Sequence, residues 1–98
     1  MVKLAFLAHL EAKPGKEDEV AKFLEAALDM AKKEATTISW YALRLSHSTF
    51  GVFDTFNDET GRQKHLNGPI GQALMAKAPE LFKSAPKIEP VEVLGSKS

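Results

Sequence analysis

Asp54 and His65 are the two side chains of this sequence whose types and spacing could do chemistry together. Asp54 sits in the run Thr49 to Phe56, where period-two alternation puts Phe50, Val52, Asp54 and Phe56 on one face of a strand. Polar Asn57-Asp58-Glu59 then opens a short helix ending in Lys64-His65-Leu66. A carboxylate on an apolar face, partly removed from water, can take a proton, and a histidine titrates near neutral pH. The pair is suited to proton transfer. Tyr41 is the third candidate: an even-numbered loop after the preceding strand would set it opposite Asp54, where its hydroxyl would find a partner. The plainer reading makes Asp54 a solvated edge carboxylate, His65 a packing residue, and Trp40 and Tyr41 core aromatics.

The remaining residue types exclude more than they suggest. With no cysteine, disulfides, thiolate nucleophiles, zinc–thiolate sites and iron–sulfur clusters are out, and a cytoplasmic location is expected. His9, His47 and His65 fall on a strand, a turn and a helix without metal-ligand spacing, so no metal site is expected. A glycine-rich phosphate loop and a G-x-S-x-G elbow are both missing. Thirteen basic residues balance thirteen acidic ones, which gives no field to attract nucleic acid or an anionic membrane. No run approaches the roughly 20 apolar residues of a membrane span, and the N-terminal apolar run alternates like a strand rather than a signal peptide.

The elements that must position the pair follow from periodicity. Val2 to Lys13 alternates and reads as the first strand, broken by Pro14-Gly15. Val20, Phe23, Leu24, Ala27, Leu28 and Ala31 recur at helical spacing, with Glu17, Asp18 and Glu19 at the N-terminal end and Lys32 and Lys33 at the other. Ile38 to Ser46 and Thr49 to Phe56 form a hairpin; an even loop, favoured because apolar meets apolar, sets Tyr41 against Asp54, Leu43 against Val52 and Leu45 against Phe50, whereas an odd loop would set Tyr41 against Thr55. After the helix bearing His65, Asn67-Gly68-Pro69 starts another, to about Ala78, with a kink or a fresh turn expected at Pro79. Lys87 to Leu94 is the last strand, at an edge because it holds Pro90, and Gly95 to Ser98 is a tail.

This order predicts one domain over 1–98 of the α+β class: a ferredoxin-like βαββαβ fold with a four-stranded antiparallel sheet and helices on one face. Leu4, Phe6, Leu43, Val52 and Phe56 are assigned to the helix-covered face, and Leu7, Trp40 and Phe53 to the other. The second face is apolar and needs cover. The expectation is a homodimer, sheet against sheet, with Val91 and Val93 contributing.

The A-K-P-G-K-E-D-E that closes strand one, the Trp40-Tyr41 strand, F-x-x-x-D-x-F-x-D from Phe50, K-H-L at 64–66 and the closing I-E-P-V-E-V-L resemble the antibiotic biosynthesis monooxygenase superfamily. The resemblance covers nearly the whole chain and implies a dimeric α+β barrel. It further implies oxidation of an electron-rich phenol, quinol or anthrone by molecular oxygen without metal or flavin cofactor, in a pocket between sheet and helices. On that resemblance Asp54 stands at the glutamate of the family's E-x-W pattern and Phe56 at its tryptophan. His65 matches the histidine of A-H-L, and Tyr41 the strand-two tyrosine. It implies His65 as base, Asp54 and Tyr41 as orienting groups, and Phe6, Val52, Phe56, Ile70 and Leu74 as walls for a small apolar or aromatic ligand. Two other readings use the same pocket: a non-catalytic binding or stress-response dimer, and an oxygen-independent isomerase or cyclase.

Overall fold

The computed structural model describes residues 3–97; Val2, at the expected start of the first strand, and Ser98, at the end of the expected tail, lie outside the described residues. The chain runs β1 (Leu4–Glu11), α1 (Glu17–Lys32), β2 (Thr37–Arg44), β3 (Thr49–Phe56), α2 (Glu59–Leu66), α3 (Pro69–Leu81) and β4 (Lys87–Glu92). The four strands form one antiparallel sheet in the order β2-β3-β1-β4. This is the α+β, ferredoxin-like βαββαβ arrangement, with the second helical region split into α2 and α3.

Local chemistry fixes the joints. Gly15 adopts φ +86°, a left-handed conformation that suits glycine and lets the chain turn after Pro14 into α1. The acidic first turn of α1 faces its positive dipole end, and Lys32 its negative end. Val20 and Leu24 bury against Leu10, Phe50, Leu74 and Leu81, and each such side chain contributes about 1.5–3 kcal/mol before entropy is subtracted. Asp58 caps α2 by accepting from the Gly61 N–H at 2.8 Å, which turns the chain straight from β3 back over the sheet. Pro69 occupies the first turn of α3. Pro90 lies on β4, an edge strand, opposite Phe6.

Two expectations need correction. α3 does not start afresh at Pro79 but continues to Leu81; Pro79 lacks the N–H that would reach the Met75 carbonyl, and its own carbonyl accepts from Lys13 Nζ at 2.6 Å. The β2–β3 register also differs by one residue. Trp40 pairs with Asp54, Tyr41 with Phe53, Ala42 with Val52 and Leu43 with Gly51. Leu45 and Ser46 both donate to the Thr49 carbonyl, and the Ser46 hydroxyl accepts from the Thr49 N–H, so Ser46-His47-Ser48 forms an odd, three-residue connection.

A one-residue slip exchanges the two faces of a strand. Trp40 and Ala42 therefore lie under the helices with Phe6, Ala8, Val52 and Asp54, while Tyr41 and Leu43 stand on the open face with Leu7, Phe53 and Val91. Both assignments made for Trp40 and Leu43 from sequence are reversed. On the open face Ser39 and Thr55 hydrogen-bond across the hairpin.

Candidate active site

α2 crosses the helix side of the sheet so that His65 comes down beside Asp54. His65 Nε2–H donates to Asp54 Oδ2 at 2.8 Å. Its other ring nitrogen meets a residue from the turn after α1: Nδ1–H donates to Glu34 Oε1 at 2.6 Å. The same Glu34 oxygen accepts from the Thr37 hydroxyl at 2.8 Å, and that hydroxyl lies 3.4 Å from Nδ1. The imidazole is thus clamped between two carboxylates. Asp54 is only 2% exposed, and the side chains of His65 and Glu34 are 9% and 16% exposed.

With both carboxylates ionised, bonding to each takes a proton on each ring nitrogen, which makes the ring an imidazolium. Burial on its own lowers the His65 pKa, but the hydrogen bonds and negative charges of Asp54 and Glu34 outweigh it and raise the pKa above the usual 6.5. The stability contributed by the charged ring is therefore fully present below about pH 6.5 and is lost as pH rises through the higher folded-state pKa. Urea midpoints measured from neutral into alkaline pH are expected to fall across that window, and to fall less in a His65→Gln variant. An equal fall in both would assign the pH dependence to other groups.

A narrow cavity of about 50 Å³ lies beside the pair, with Phe6, Ala8, Phe23, Leu24, Val52, Ile70, Leu74 and Ile88 as apolar walls and Asp54 and His65 as its ionisable members. At about 10–15 Å³ per water it has room for only a few. Two buried polar atoms here have no protein partner, Asp54 Oδ1 and Trp40 Nε1. One is an acceptor and the other a donor, on side chains that are cross-strand partners and both line the cavity. Unpaired buried groups of this kind cost about 1–3 kcal/mol each, so a ligand that satisfies them gains directly.

Of the expected site residues, Asp54 and His65 are brought together, and Phe6, Val52, Ile70 and Leu74 line the cavity. Phe56 does not line it. It is fully buried behind it, edge-on to Phe6 with ring centroids 5.9 Å apart and 5.3 Å from the His65 ring, where it supports both. Tyr41 is not in the site: it is 55% exposed on the opposite face of the sheet, and Trp40 occupies the place assigned to it beside Asp54. Neither His9 nor His47 joins the cluster; His47 sits in the hairpin turn, 3.9 Å from Glu17. Sequence reasoning missed Glu34, whose signal was available: an acidic residue just past the C-terminus of α1, where the helix dipole favours a cation, needs a compensating partner. It also missed Gly71, against which α2 packs so closely that a Cβ there would run into the Leu66 carbonyl oxygen.

Asp54 and Glu34 flank opposite ring nitrogens rather than converging on one point, and among the described residues no group of three His, Asp or Glu side chains could hold a metal ion. The arrangement can hold and move protons at the edge of an apolar cavity. Among the described residues no helix is long and apolar enough to cross a membrane.

A four-stranded antiparallel sheet with its helices on one face and an apolar cavity between the layers defines an α+β protein of ferredoxin-like fold. A solved structure from Nitrosomonas europaea, a protein of unknown function, is 55% identical, with 100% of this chain and 95% of that one covered and a TM-score of 0.97. The chain belongs to the same family as that protein. A candidate antibiotic biosynthesis monooxygenase from Caulobacter crescentus shares the fold at 18% identity, covering 96% of this chain and 92% of its own with a TM-score of 0.78. Another candidate of that description from Nitrosomonas europaea does so at 8% identity, over 94% and 90% of the two chains, with a TM-score of 0.82. No protein-family model and no curated protein matches the chain.

Proposed function

We propose that this protein is a cofactor-independent monooxygenase acting on an electron-rich hydroxy-aromatic small molecule of the phenol, quinol or anthrone type. The observation that carries the reading is Asp54 Oδ1, a buried carboxylate oxygen without a partner at the edge of an apolar cavity. A ligand hydroxyl donates to it, and the rest of the ring lies against Phe6, Val52, Ile70 and Leu74. Transfer of that proton to Asp54 leaves the ligand as an anion rich enough in electrons to reduce oxygen. The substrate supplies all the electrons: in an anthrone the ring methylene and one O2 give a carbonyl and one water, and in a phenol or quinol a ring C–H and the hydroxyl hydrogen are lost to one O2 to give a quinone carbonyl and one water. His65, with both ring nitrogens engaged, is the fixed positive charge beside the developing anion rather than a free base. Ligands of two or three rings need more room than about 50 Å³, which Leu66, Ile70 and Leu74 would have to provide by moving.

Two coarser features complete the reading. The open face of the sheet, with Tyr41, Leu43, Phe53 and Val91, is covered by a second copy in a homodimer, and the absence of cysteine suits a reducing cytoplasm. A monodisperse monomer in sedimentation at micromolar concentration would contradict the first. The activity is tested by oxygen uptake from chelator-treated protein against hydroquinones, anthrones and catechols. Uptake above the autoxidation blank supports the oxygenase. Saturable binding of panel members without uptake would favour the non-catalytic or isomerase reading.

A further inference from the structure

We infer that Glu34 is a positioning residue that keeps His65 doubly protonated and anchored, so that the cavity holds a fixed cation beside Asp54. A neutral imidazole has one N–H, and here two carboxylate oxygens lie 2.6 Å and 2.8 Å from the two nitrogens; when both carboxyl groups are ionised, each requires one. Asp54 alone would be served by the neutral tautomer with its proton on Nε2. It is Glu34 that asks for the second proton, on Nδ1. Thr37 holds Glu34 in place by donating to the same oxygen.

Glu34 also stands where solvent reaches. It lines a second, outer cleft of about 280 Å³ with Leu28, Lys32, Thr37 and Ile38, on the far side of the His65 ring from Asp54. The Nδ1 side of the ring, through Glu34, thus lies nearer solvent than the Asp54 side. Asp54 from β3 and Glu34 from the turn before β2 are the charged groups that face the ring. Thr37 adds a hydroxyl and Phe56 a ring face. On its own helix, Arg62 is occupied by Glu59 at 2.7 Å and by the Ala5 carbonyl, and Lys64 is exposed. Among the described residues, α3, β1 and β4 bring no charged side chain within ion-pair distance of the ring.

The test is a ring titration of the three histidines by NMR in the free protein, wild type beside Glu34→Gln and Thr37→Val. The amide introduced by Glu34→Gln can donate to Nδ1 and so favours the neutral ring. The His65 protonation constant is expected to drop about tenfold or more, and to drop less in Thr37→Val, while His9 and His47 are unmoved. An unchanged His65 midpoint in a folded Glu34→Gln protein would overturn the inference. If that variant does not fold, an unchanged midpoint in Thr37→Val overturns it. The consequence for turnover rests on the oxygenase reading: the alkaline limb of the pH–rate profile is expected to move down with the His65 midpoint. A moved midpoint with no oxygen uptake from any substrate would leave the role of Glu34 standing and remove the oxygenase reading alone.

Discussion

Asp54→Ala and His65→Ala are each expected to lower the unfolding free energy by about 3–5 kcal/mol, the cost of leaving the rest of a buried ionic cluster without its counter-charge. Asp54 is 2% exposed among apolar walls, so removing His65 leaves its charge without a partner in an apolar layer. Removing Asp54 leaves the ring with one carboxylate, on its solvent side. Either loss is a large share of the roughly 5–15 kcal/mol that holds a domain of this size folded. Replacing both at once by leucine is expected to cost much less than the sum of the single changes. The apolar walls accept the new side chains, and Glu34 can be hydrated at the outer cleft. Denaturant unfolding of Asp54→Leu, His65→Leu and the double leucine variant provides the cycle. Additive losses would show that the two residues do not act as a unit.

Asp54→Asn separates chemistry from stability. The amide keeps the shape of the carboxylate, and its oxygen can still accept from His65 Nε2–H, but it cannot take a proton from a ligand. Turnover is expected to fall by roughly 10²–10⁴, the usual worth of a positioned proton acceptor. Stability should change far less than in Asp54→Ala. Binding should weaken by about tenfold because the ligand hydroxyl loses its charged acceptor, and the rest of the loss should appear in kcat. Undiminished turnover in Asp54→Asn would move the proton acceptor elsewhere.

Why the pair was legible and its third member was not is a matter of chain distance. Asp54 and His65 are joined by one strand end, an aspartate cap and two turns of helix. Each of those has a local signature, and together they fold the histidine back over the face that carries the aspartate. Glu34 reaches His65 across 31 residues, through the packing of α1 on the sheet, and no spacing rule encodes that contact. The β2 register failed for a different reason. Ile38, Trp40 and Ala42 alternate with Tyr41, Leu43 and Leu45, so both sets are apolar and hydrophobic pattern cannot choose between them. The three-residue turn, held by Ser46 and Thr49, made the choice. Trp40 and Tyr41 exchanged places as a result, and with them the candidate partner of Asp54. The helix–sheet core followed from periodicity, because α1 carries one narrow apolar stripe and leaves no such ambiguity.

The central claim is that the cavity takes a ligand whose hydroxyl donates to Asp54 Oδ1. Trp40 is the only tryptophan in the chain and lines that cavity, so its fluorescence reports occupancy without a label. The most direct measurement is a titration of Trp40 emission with a hydroxy-aromatic and with its methyl ether, which has the same ring but no proton to donate. Saturable quenching by the hydroxyl compound is expected, with binding at least about tenfold weaker by the ether, since a lost bond to a charged group costs about 1.5–3 kcal/mol. Equal binding of the two, or no saturable change with either, would contradict it.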